Sequence, residues 1–190
     1  MRKKIESAIK DSILTKEEIL KSQADNIEKA ALTIIDSIKK GGKLFIFGNG
    51  GSAADSQHIA AELVGRFKAE RKPLAAIALT TDTSALTAIA NDYGYDIVFS
   101  RQIEALASGG DVALGISTSG NSKNVIEAFK KAKALGLTRI ALSGGDGGRM
   151  KNEADISIII PSNDTPRVQE SHIMIGHILC GLIEENIFKK

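Results

Sequence analysis

The sequence contains few of the residues on which several classes of protein depend. Cys180 is the single cysteine among 190 residues, so no disulfide can form within the chain, as is usual in a reducing cytoplasm. Aromatic residues make up only 4%, which argues against a base-stacking surface for nucleic acid. The net charge of +2 is not concentrated in any run of lysine or arginine. We therefore expect a cytoplasmic protein that does not bind nucleic acid.

Long apolar runs are also missing. The longest, residues 173–183, is interrupted by His177 and is shorter than the roughly 20 residues that span a bilayer. The basic residues 1–4 are followed by interleaved charged and apolar residues rather than by the apolar core of a signal peptide. With 43% hydrophobic and 25% charged residues, the sequence predicts one soluble domain over residues 1–190 and no membrane segment.

Residues 1–40 predict two helices ahead of the first strand. Ile5, Ile9 and Ile13 are spaced four apart, which gives one helical face. Thr15 and Glu18 match a capping box that would begin a second helix. A doubly wound core does not need these helices, so we expect residues 1–40 to pack against a second subunit.

Strand and helix patterns alternate through the rest of the chain. Strands are predicted at 43–47, 75–79, 112–116, 139–143 and 156–160, and helices at 52–66, 83–91, 95–107, 122–136 and 166–188. Such alternation implies parallel pairing with right-handed crossovers. The predicted fold class is therefore α/β, a three-layer sandwich around a five-stranded parallel sheet with extra N-terminal helices. In the strand order 2-1-3-4-5, the first and third strands are neighbours at the point where open sheets bind ligands.

A glycine-rich turn follows the first predicted strand. Gly50 and Gly51 permit unusual backbone angles and let a ligand approach the main chain closely. Ser52 is expected to cap the next helix, whose free N–H groups would then form an anion site. Asn49 either binds a sugar hydroxyl or simply tolerates the turn geometry.

A second polar turn follows the third strand. Its hydroxyl side chains are those of Ser117, Thr118, Ser119 and Ser122. Hydroxyls and helix-terminal amides can bind phosphate oxygens without a basic residue, although such a turn alone could be a plain helix cap. Asn91 and Asp92 end the helix after the second strand, near the same sheet edge, as ligands or as a helix terminus. The glycine-rich turn after the first strand and the serine-rich turn after the third strand together predict a phosphate site.

A dinucleotide fold is the alternative for the glycine turn, because residues 48–53 fit its glycine pattern. That fold needs an acidic residue at the end of the second strand to hold a ribose. The strand ends at residues 79–81, and Asp82 lies farther along than the spacing requires. The serine-rich loop would also have no role, so we favour the phosphate site.

Polar side chains on two helices suggest a further site. His58 and Glu62 are four apart and share one helix face, either as a solvated pair or as functional groups. The last helix is apolar nearly all round and predicted to be buried, yet Gln169 and His177 lie within about 80° of each other on it. Buried polar groups need partners, and these four residues could bind a metal through nitrogen and oxygen. His172 is expected to be structural.

These segments together resemble the phosphoheptose isomerases of the sugar isomerase (SIS) domain superfamily. The resemblance covers nearly the whole chain and rests on residues 48–52 with His58 and Glu62, and on 79–82, 90–94, 115–122, 167–170 and 176–180. It implies a flavodoxin-like SIS fold and a homotetramer with active sites at subunit interfaces. The implied reaction converts sedoheptulose 7-phosphate to D-glycero-D-manno-heptose 7-phosphate. That reaction begins the ADP-heptose or GDP-heptose route to the lipopolysaccharide or capsule of the bacterial surface.

The resemblance also implies roles for particular residues. Proton transfer falls to Glu62 and His177. The phosphate would be bound by Ser117, Thr118, Ser119 and Ser122. The sugar would be bound by Asn49, Gly50, Gly51, Asn91 and Asp92, with Ser52, Glu62 and Gln169 also at the substrate. One zinc ion per subunit would be bound by His58, Glu62, Gln169 and His177.

The chemistry of aldose–ketose exchange agrees with this assignment. It needs a base at carbon and an acid at oxygen, and we hypothesise Glu62 as the base and His177 as the acid, with the reverse left open. One alternative is a non-catalytic regulator resembling the DnaA initiator-associating protein, in which these two positions are not Glu and His. Another phosphosugar isomerase of the same superfamily is the second alternative.

Overall fold

The computed structural model describes residues 1–188. Within this range five parallel strands form a sheet in the order β2-β1-β3-β4-β5. The strands are β1 (Leu44–Gly48), β2 (Ala76–Ala78), β3 (Val112–Ser117), β4 (Thr138–Gly144) and β5 (Ile156–Ile160). The predicted fold class and strand order are confirmed, and the strand ends differ from the predicted ones by at most one residue.

Helices cover both faces of the sheet. They are α1 (Arg2–Lys39), α2 (Gly51–Val64), α3 (Thr83–Tyr93), α4 (Val98–Leu106), α5 (Lys123–Ala134) and α6 (Thr165–Phe188). Alternate residues of β1 explain the two layers, because side chains of a strand point to opposite faces. Leu44 and Ile46 pack in one core with α1, α2 and α6, while Phe45 and Phe47 pack in the other with α4 and α5. The predicted helix at 95–107 begins instead as a 3-10 turn, Tyr95–Ile97.

The predicted pair of N-terminal helices was wrong, because α1 is continuous from Arg2 to Lys39. Thr15 does not cap a new helix; its hydroxyl donates to the carbonyl of Asp11 at 2.8 Å. A threonine inside a helix can bond the carbonyl four residues back instead of capping, and residues 2–39 contain no glycine or proline to interrupt the helix. Buried side chains begin only at Ile19, so the first half of α1 has little support from its own chain.

Among residues 1–188, no helix has both the length and the apolar character that crossing a membrane requires.

Candidate active site

The turn after β1 brings the main chain close to the end of β3. Gly50 has φ 56° and is the N-cap of α2, which begins at Gly51. The predicted Ser52 cap was therefore wrong: the positive φ turns the chain two residues earlier, and Ser52 is buried, with its N–H bonded to the carbonyl of Asn49. A Cβ on Gly48 would lie 2.7 Å from the carbonyl oxygen of Ile116. Only glycine lets these two strand ends approach so closely.

The serine-rich loop faces this turn, as predicted from the strand order. Gly48 of β1 is paired in register with Ile116 of β3. The hydroxyl oxygens of Ser117 and Ser122 are 2.9 Å apart, and Ser119 Oγ accepts from the N–H of Asn121. Thr118 and Ser119 line a small polar cavity that reaches to Gly144 and Thr165. The hydroxyls therefore converge at the start of α5, where helix amides add further donors.

Two residues that the sequence did not single out hold Asn49 in place. Asn49 and Asn124 exchange two side-chain hydrogen bonds, of 2.9 and 2.8 Å. The hydroxyl of Tyr95 donates to Asn49 Oδ1 at 3.1 Å. Asn124 is buried. The only indication of its role in the sequence was a polar residue in the first turn of a helix that packs on the sheet, where a buried polar group needs a partner. The Asn49 side chain thus links the two loops instead of pointing freely into solvent.

Asn91 and Asp92 lie in the last turn of α3, and both are exposed. Asn91 Nδ2 donates to Asp92 Oδ1 at 2.8 Å, and Gly94 follows with φ 91°. Tyr95, immediately beyond, contacts Asn49 and so connects this segment to the glycine turn. Asp82 caps α3 by accepting from the N–H of Ala85. That capping bond gives Asp82 a structural role and removes the residue that a dinucleotide ribose would need.

His58, Glu62 and His177 lie together between α2 and α6. His58 Nε2 is 2.9 Å from His177 Nε2 and 3.3 Å from Glu62 Oε1. Ligand atoms from the three side chains all lie within 4.8 Å of one another. Two imidazoles and a carboxylate are a usual donor set for Zn²⁺. Of the polar stripe predicted on α6, His177 therefore meets the His58–Glu62 face of α2.

Gln169 lies farther along α6, against the start of α2. A Cβ on Gly51 would come 2.5 Å from Gln169 Nε2, so the amide of Gln169 lies directly over Gly51. Gln169 and Gly51 meet at one end of the paired helices, and His177 and His58 meet two turns farther on. The two helices consequently run side by side in the same direction, with the glycine turn at one end and the His58–Glu62–His177 group beyond it.

Two further side chains belong to this group. Phe67 lies beyond the end of α2, which ends at Val64, and its ring stacks on His177 with centroids 5.8 Å apart. Asp55 has one buried carboxylate oxygen without a hydrogen-bond partner. Burial raises the pKa of Asp55, although His58 and His177 oppose that shift.

His172 is structural, as expected from its position on α6. Its side chain is fully buried, and Nε2 lies 3.2 Å from the carbonyl oxygen of Ser143 in β4. Its Nδ1 atom has no hydrogen-bond partner. Burial lowers the pKa of His172 from 6.5 to about 4, so the neutral imidazole is the form that anchors α6 to the sheet.

The expectation that α6 is buried all round was only partly right. Val168, Ile175, Leu179 and Ile183 are buried, but Ile178 is 40% exposed. Ile178 lines an open apolar groove between α6 and the first half of α1, together with Ile19, Leu20 and Met174. One face of α6 is thus left uncovered by its own chain.

The glycine-rich segment after β4, residues 144–148, packs tightly against the serine-rich loop. Met150 N–H donates to the carbonyl of Gly120 at 2.9 Å, and Arg149 N–H donates to Asn121 Oδ1. A Cβ on Gly148, where φ is 54°, would come 2.6 Å from the carbonyl oxygens of Ser119 and Gly120. This segment therefore fixes the shape of the serine-rich loop.

Comparison with known proteins agrees with this arrangement. A model of the SIS domain matches residues 9–144. A phosphoheptose isomerase of Clostridium acetobutylicum is 55% identical over 99% of this chain and 97% of its own. One from Aquifex aeolicus is 53% identical over the full length of both chains. The chain therefore belongs to the SIS domain family and, within it, to the phosphoheptose isomerases.

Solved structures show the same relation. A phosphoheptose isomerase from Neisseria gonorrhoeae superimposes with a TM-score of 0.92 at 45% identity, covering 97% of this chain and 98% of that one. A phosphoheptose isomerase from Francisella tularensis gives a TM-score of 0.94 at 38% identity, covering 96% and 97%. The complete fold, including the long first helix, is thus shared along almost the entire chain.

Proposed function

We propose that this chain isomerises D-sedoheptulose 7-phosphate to D-glycero-D-manno-heptose 7-phosphate, with Glu62 and His177 as the proton-transfer groups. The observation that carries the proposal is the meeting of Glu62 and His177 from two helices, together with the glycine turn and the serine-rich loop at the ends of two paired strands. The isomerisation needs no oxidant and no second substrate, since one hydrogen moves between C1 and C2 and one between their oxygens. A paired base and acid can supply both transfers.

In this proposal the carboxylate of Glu62 acts at carbon. In the direction from ketose to aldose it removes a proton from C1, the C2 carbonyl becomes a hydroxyl, and a proton is then returned to C2. His177 would deliver a proton to the C2 oxygen and accept one from the C1 oxygen. The side chain of Glu62 is 23% exposed, open enough to meet a sugar. The opposite assignment of base and acid uses the same two groups.

Substrate binding would be divided between the serine-rich loop and the glycine turn. The hydroxyls of Ser117, Thr118, Ser119 and Ser122 and the start of α5 would hold the phosphate. The sugar would lie across the glycine turn. Its proposed ligands are Asn49, Gly50, Gly51, Ser52, Glu62, Asn91, Asp92 and Gln169. Ser52 is buried below the turn, so its contribution would come from its backbone.

We further propose that zinc is the natural metal of the group formed by His58, Glu62 and His177, with Gln169 as a fourth ligand. The donor set fits, because two imidazole nitrogens only 2.9 Å apart, with a carboxylate beside them, are suited to share one cation. A zinc ion bound there would polarise the sugar carbonyl and stabilise the negative charge that develops on the sugar oxygens. Gln169, seated over Gly51, would have to turn its amide oxygen towards His177.

The biological setting proposed is a cytoplasmic homotetramer that supplies heptose for lipopolysaccharide or capsule. Its support in the structure is the uncovered apolar surface of α1, where Ile5, Ile9 and Ile13 are each more than half exposed, and of α6, where Ile178 is exposed. In addition, α3 has no buried side chain although it carries Asn91 and Asp92. Association of four chains would cover these surfaces and complete the site.

The proposed reaction is tested by following aldose formation from sedoheptulose 7-phosphate with and without a chelator. We expect turnover that falls on chelation and returns with zinc. Glu62→Gln and His177→Gln should each lower kcat by a factor on the order of 10² to 10⁴. Glu70→Gln is the matched control, because the Glu70 side chain is 90% exposed. Full activity of Glu62→Gln would remove Glu62 from the mechanism, and turnover indifferent to chelation would remove the metal.

A further inference from the structure

A buried ion pair joins α6 to the loop that follows α2, away from the glycine turn and the serine-rich loop. Glu184 of α6 accepts from Arg71 Nε at 3.1 Å, and the two side chains are only 7% and 1% exposed. Replacing a buried ion pair by well-packed apolar residues is often neutral or even stabilising. Its presence therefore calls for a reason other than stability.

Glu184 binds the loop that follows α2. Its carboxylate accepts from three consecutive N–H groups, those of Phe67 at 3.3 Å, Lys68 at 3.1 Å and Ala69 at 2.9 Å. Burial by itself would raise the pKa of Glu184, but the hydrogen bonds from Ala69 and Arg71 are among those that lower it overall. Glu184 is consequently ionised, and charge-assisted hydrogen bonds hold the loop against α6.

Arg71 binds the end of α2 itself. Its Nη2 donates to the carbonyl of Glu62 at 2.7 Å, and its Nη1 donates to the carbonyls of Leu63 and Gly65 at 2.7 and 3.1 Å. The last carbonyls of a helix lack partners within the helix, and here one planar guanidinium satisfies two of them, those of Glu62 and Leu63, and the carbonyl of the C-cap residue Gly65. The backbone of Glu62 is thus fixed by the same ion pair.

The loop that Glu184 binds carries the aromatic ring that contacts His177. The Phe67 and His177 rings are stacked, with centroids 5.8 Å apart and planes inclined by 24°. Glu184 lies seven residues, two helical turns, after His177 on α6, and it binds the N–H of Phe67 directly. The ion pair therefore contacts both the segment that carries the Phe67 ring and the backbone at Glu62.

We propose that Glu184 and Arg71 are positioning residues for the isomerase reaction, acting through the stacked ring of Phe67 on His177 and through the end of α2 on Glu62. The proposal rests on the proposed function for the roles of His177 and Glu62. A rigid orientation matters because small displacements of a catalytic group lower the rate steeply. Neither Glu184 nor Arg71 would touch the substrate.

The first test is spectroscopic and does not depend on activity. The chain has three histidines, so protein labelled with carbon-13 at the histidine Cε1 atoms gives three signals, and His177→Gln identifies one of them. All variants are measured after chelation, so that their metal content is the same. We expect Phe67→Leu to move the His177 signal downfield, because the ring that shields it is gone. Glu184→Gln should move it in the same direction, while Phe67→Tyr, which keeps a flat ring, should leave it in place.

The second test is kinetic, with zinc restored. Phe67→Leu and Glu184→Gln should lower kcat about tenfold, as a misplaced catalytic group does, and leave KM within about twofold. Phe67→Tyr should retain wild-type values. Glu70→Gln, an exposed carboxylate of the same loop, is the control for the loss of charge. If Glu184→Gln does not fold, Arg71→Lys takes its place, because it keeps the charge but loses the planar fork.

Three results would overturn the inference. They are an unmoved His177 signal in Phe67→Leu, an unchanged kcat in Glu184→Gln or Arg71→Lys, and a loss in Phe67→Tyr as large as in Phe67→Leu. If the proposed function is wrong, the wild-type protein itself will not convert sedoheptulose 7-phosphate, and this distinguishes the two failures. In that case the spectroscopic arm still decides whether Glu184 orients the His177 ring.

Discussion

Acidification should destabilise the protein through His172. This imidazole is neutral in the fold because it is fully buried between α6 and β4, with Nε2 directed at the carbonyl of Ser143 and Nδ1 without a partner. Its pKa is 6.5 in the absence of the fold and about 4 within it. The unfolded chain therefore binds a proton that the folded chain excludes between these two pH values. The stabilising effect is present above pH 6.5 and is lost as the pH falls towards 4.

The magnitude follows from the two pKa values. At pH 5 the preferential protonation of the unfolded chain lowers the free energy of unfolding by about 2 kcal/mol relative to pH 7.5, for one group with these pKa values. Other carboxylates and histidines titrate in the same range, so the wild-type protein alone does not isolate the effect. His172→Gln does, because the glutamine amide can still donate to the carbonyl of Ser143 but cannot gain a proton.

The assay is urea unfolding followed by circular dichroism at pH 7.5 and pH 5.0, at one protein concentration so that association is held constant. We expect the wild-type protein to lose about 2 kcal/mol more between these pH values than His172→Gln does. An equal loss in both proteins would refute the reasoning, since His172 would then be protonated in the fold or its burial would be relieved. A histidine signal that titrates near pH 6.5 in the His172 position would refute it directly.

Two further predictions concern the serine-rich loop and the association of chains. Gly148→Ala places a methyl group against the carbonyls of Ser119 and Gly120. In steady-state kinetics it should raise KM for the phosphosugar about tenfold, with a smaller effect on kcat. The control Gly109→Ala, where the nearest atom is 3.4 Å away, should change neither constant. Ile9→Asp places a charge on the exposed apolar face of α1. On the proposed tetramer, it should lower the mass measured by light scattering relative to the wild-type protein, and an unchanged mass would place the subunit interface elsewhere.

The sheet and its order could be predicted because their evidence is local. Each strand is a short apolar run bounded by turn residues, and alternation with helices restricts the order to a few possibilities. The division of α1 at Thr15 could not be decided in this way. A threonine followed three residues later by a glutamate occurs at helix starts, but the same hydroxyl can also bond the carbonyl of Asp11 inside a continuous helix, as it does here.

The core of the candidate site was also predictable, for a different reason. His177 lies on a helix that is apolar nearly all round, and a polar group on such a helix must find a partner, which led to His58 and Glu62. Phe67 could not be found by such reasoning. Its place against His177 depends on where α2 ends and on hydrogen bonds to Glu184, more than 100 residues later in the chain. No local pattern records an interaction of that kind.

The side-by-side course of α2 and α6 has a consequence for which sugars can react. The start of α2 lies at the glycine turn, and His58 follows seven residues later, about 10 Å along a helix that rises 1.5 Å per residue. On the proposed function, a substrate anchored by its phosphate at the loops must extend along these two turns before its C1 and C2 reach Glu62. This fixed distance along the helix would then select the substrate by the number of carbons between its phosphate and its carbonyl group.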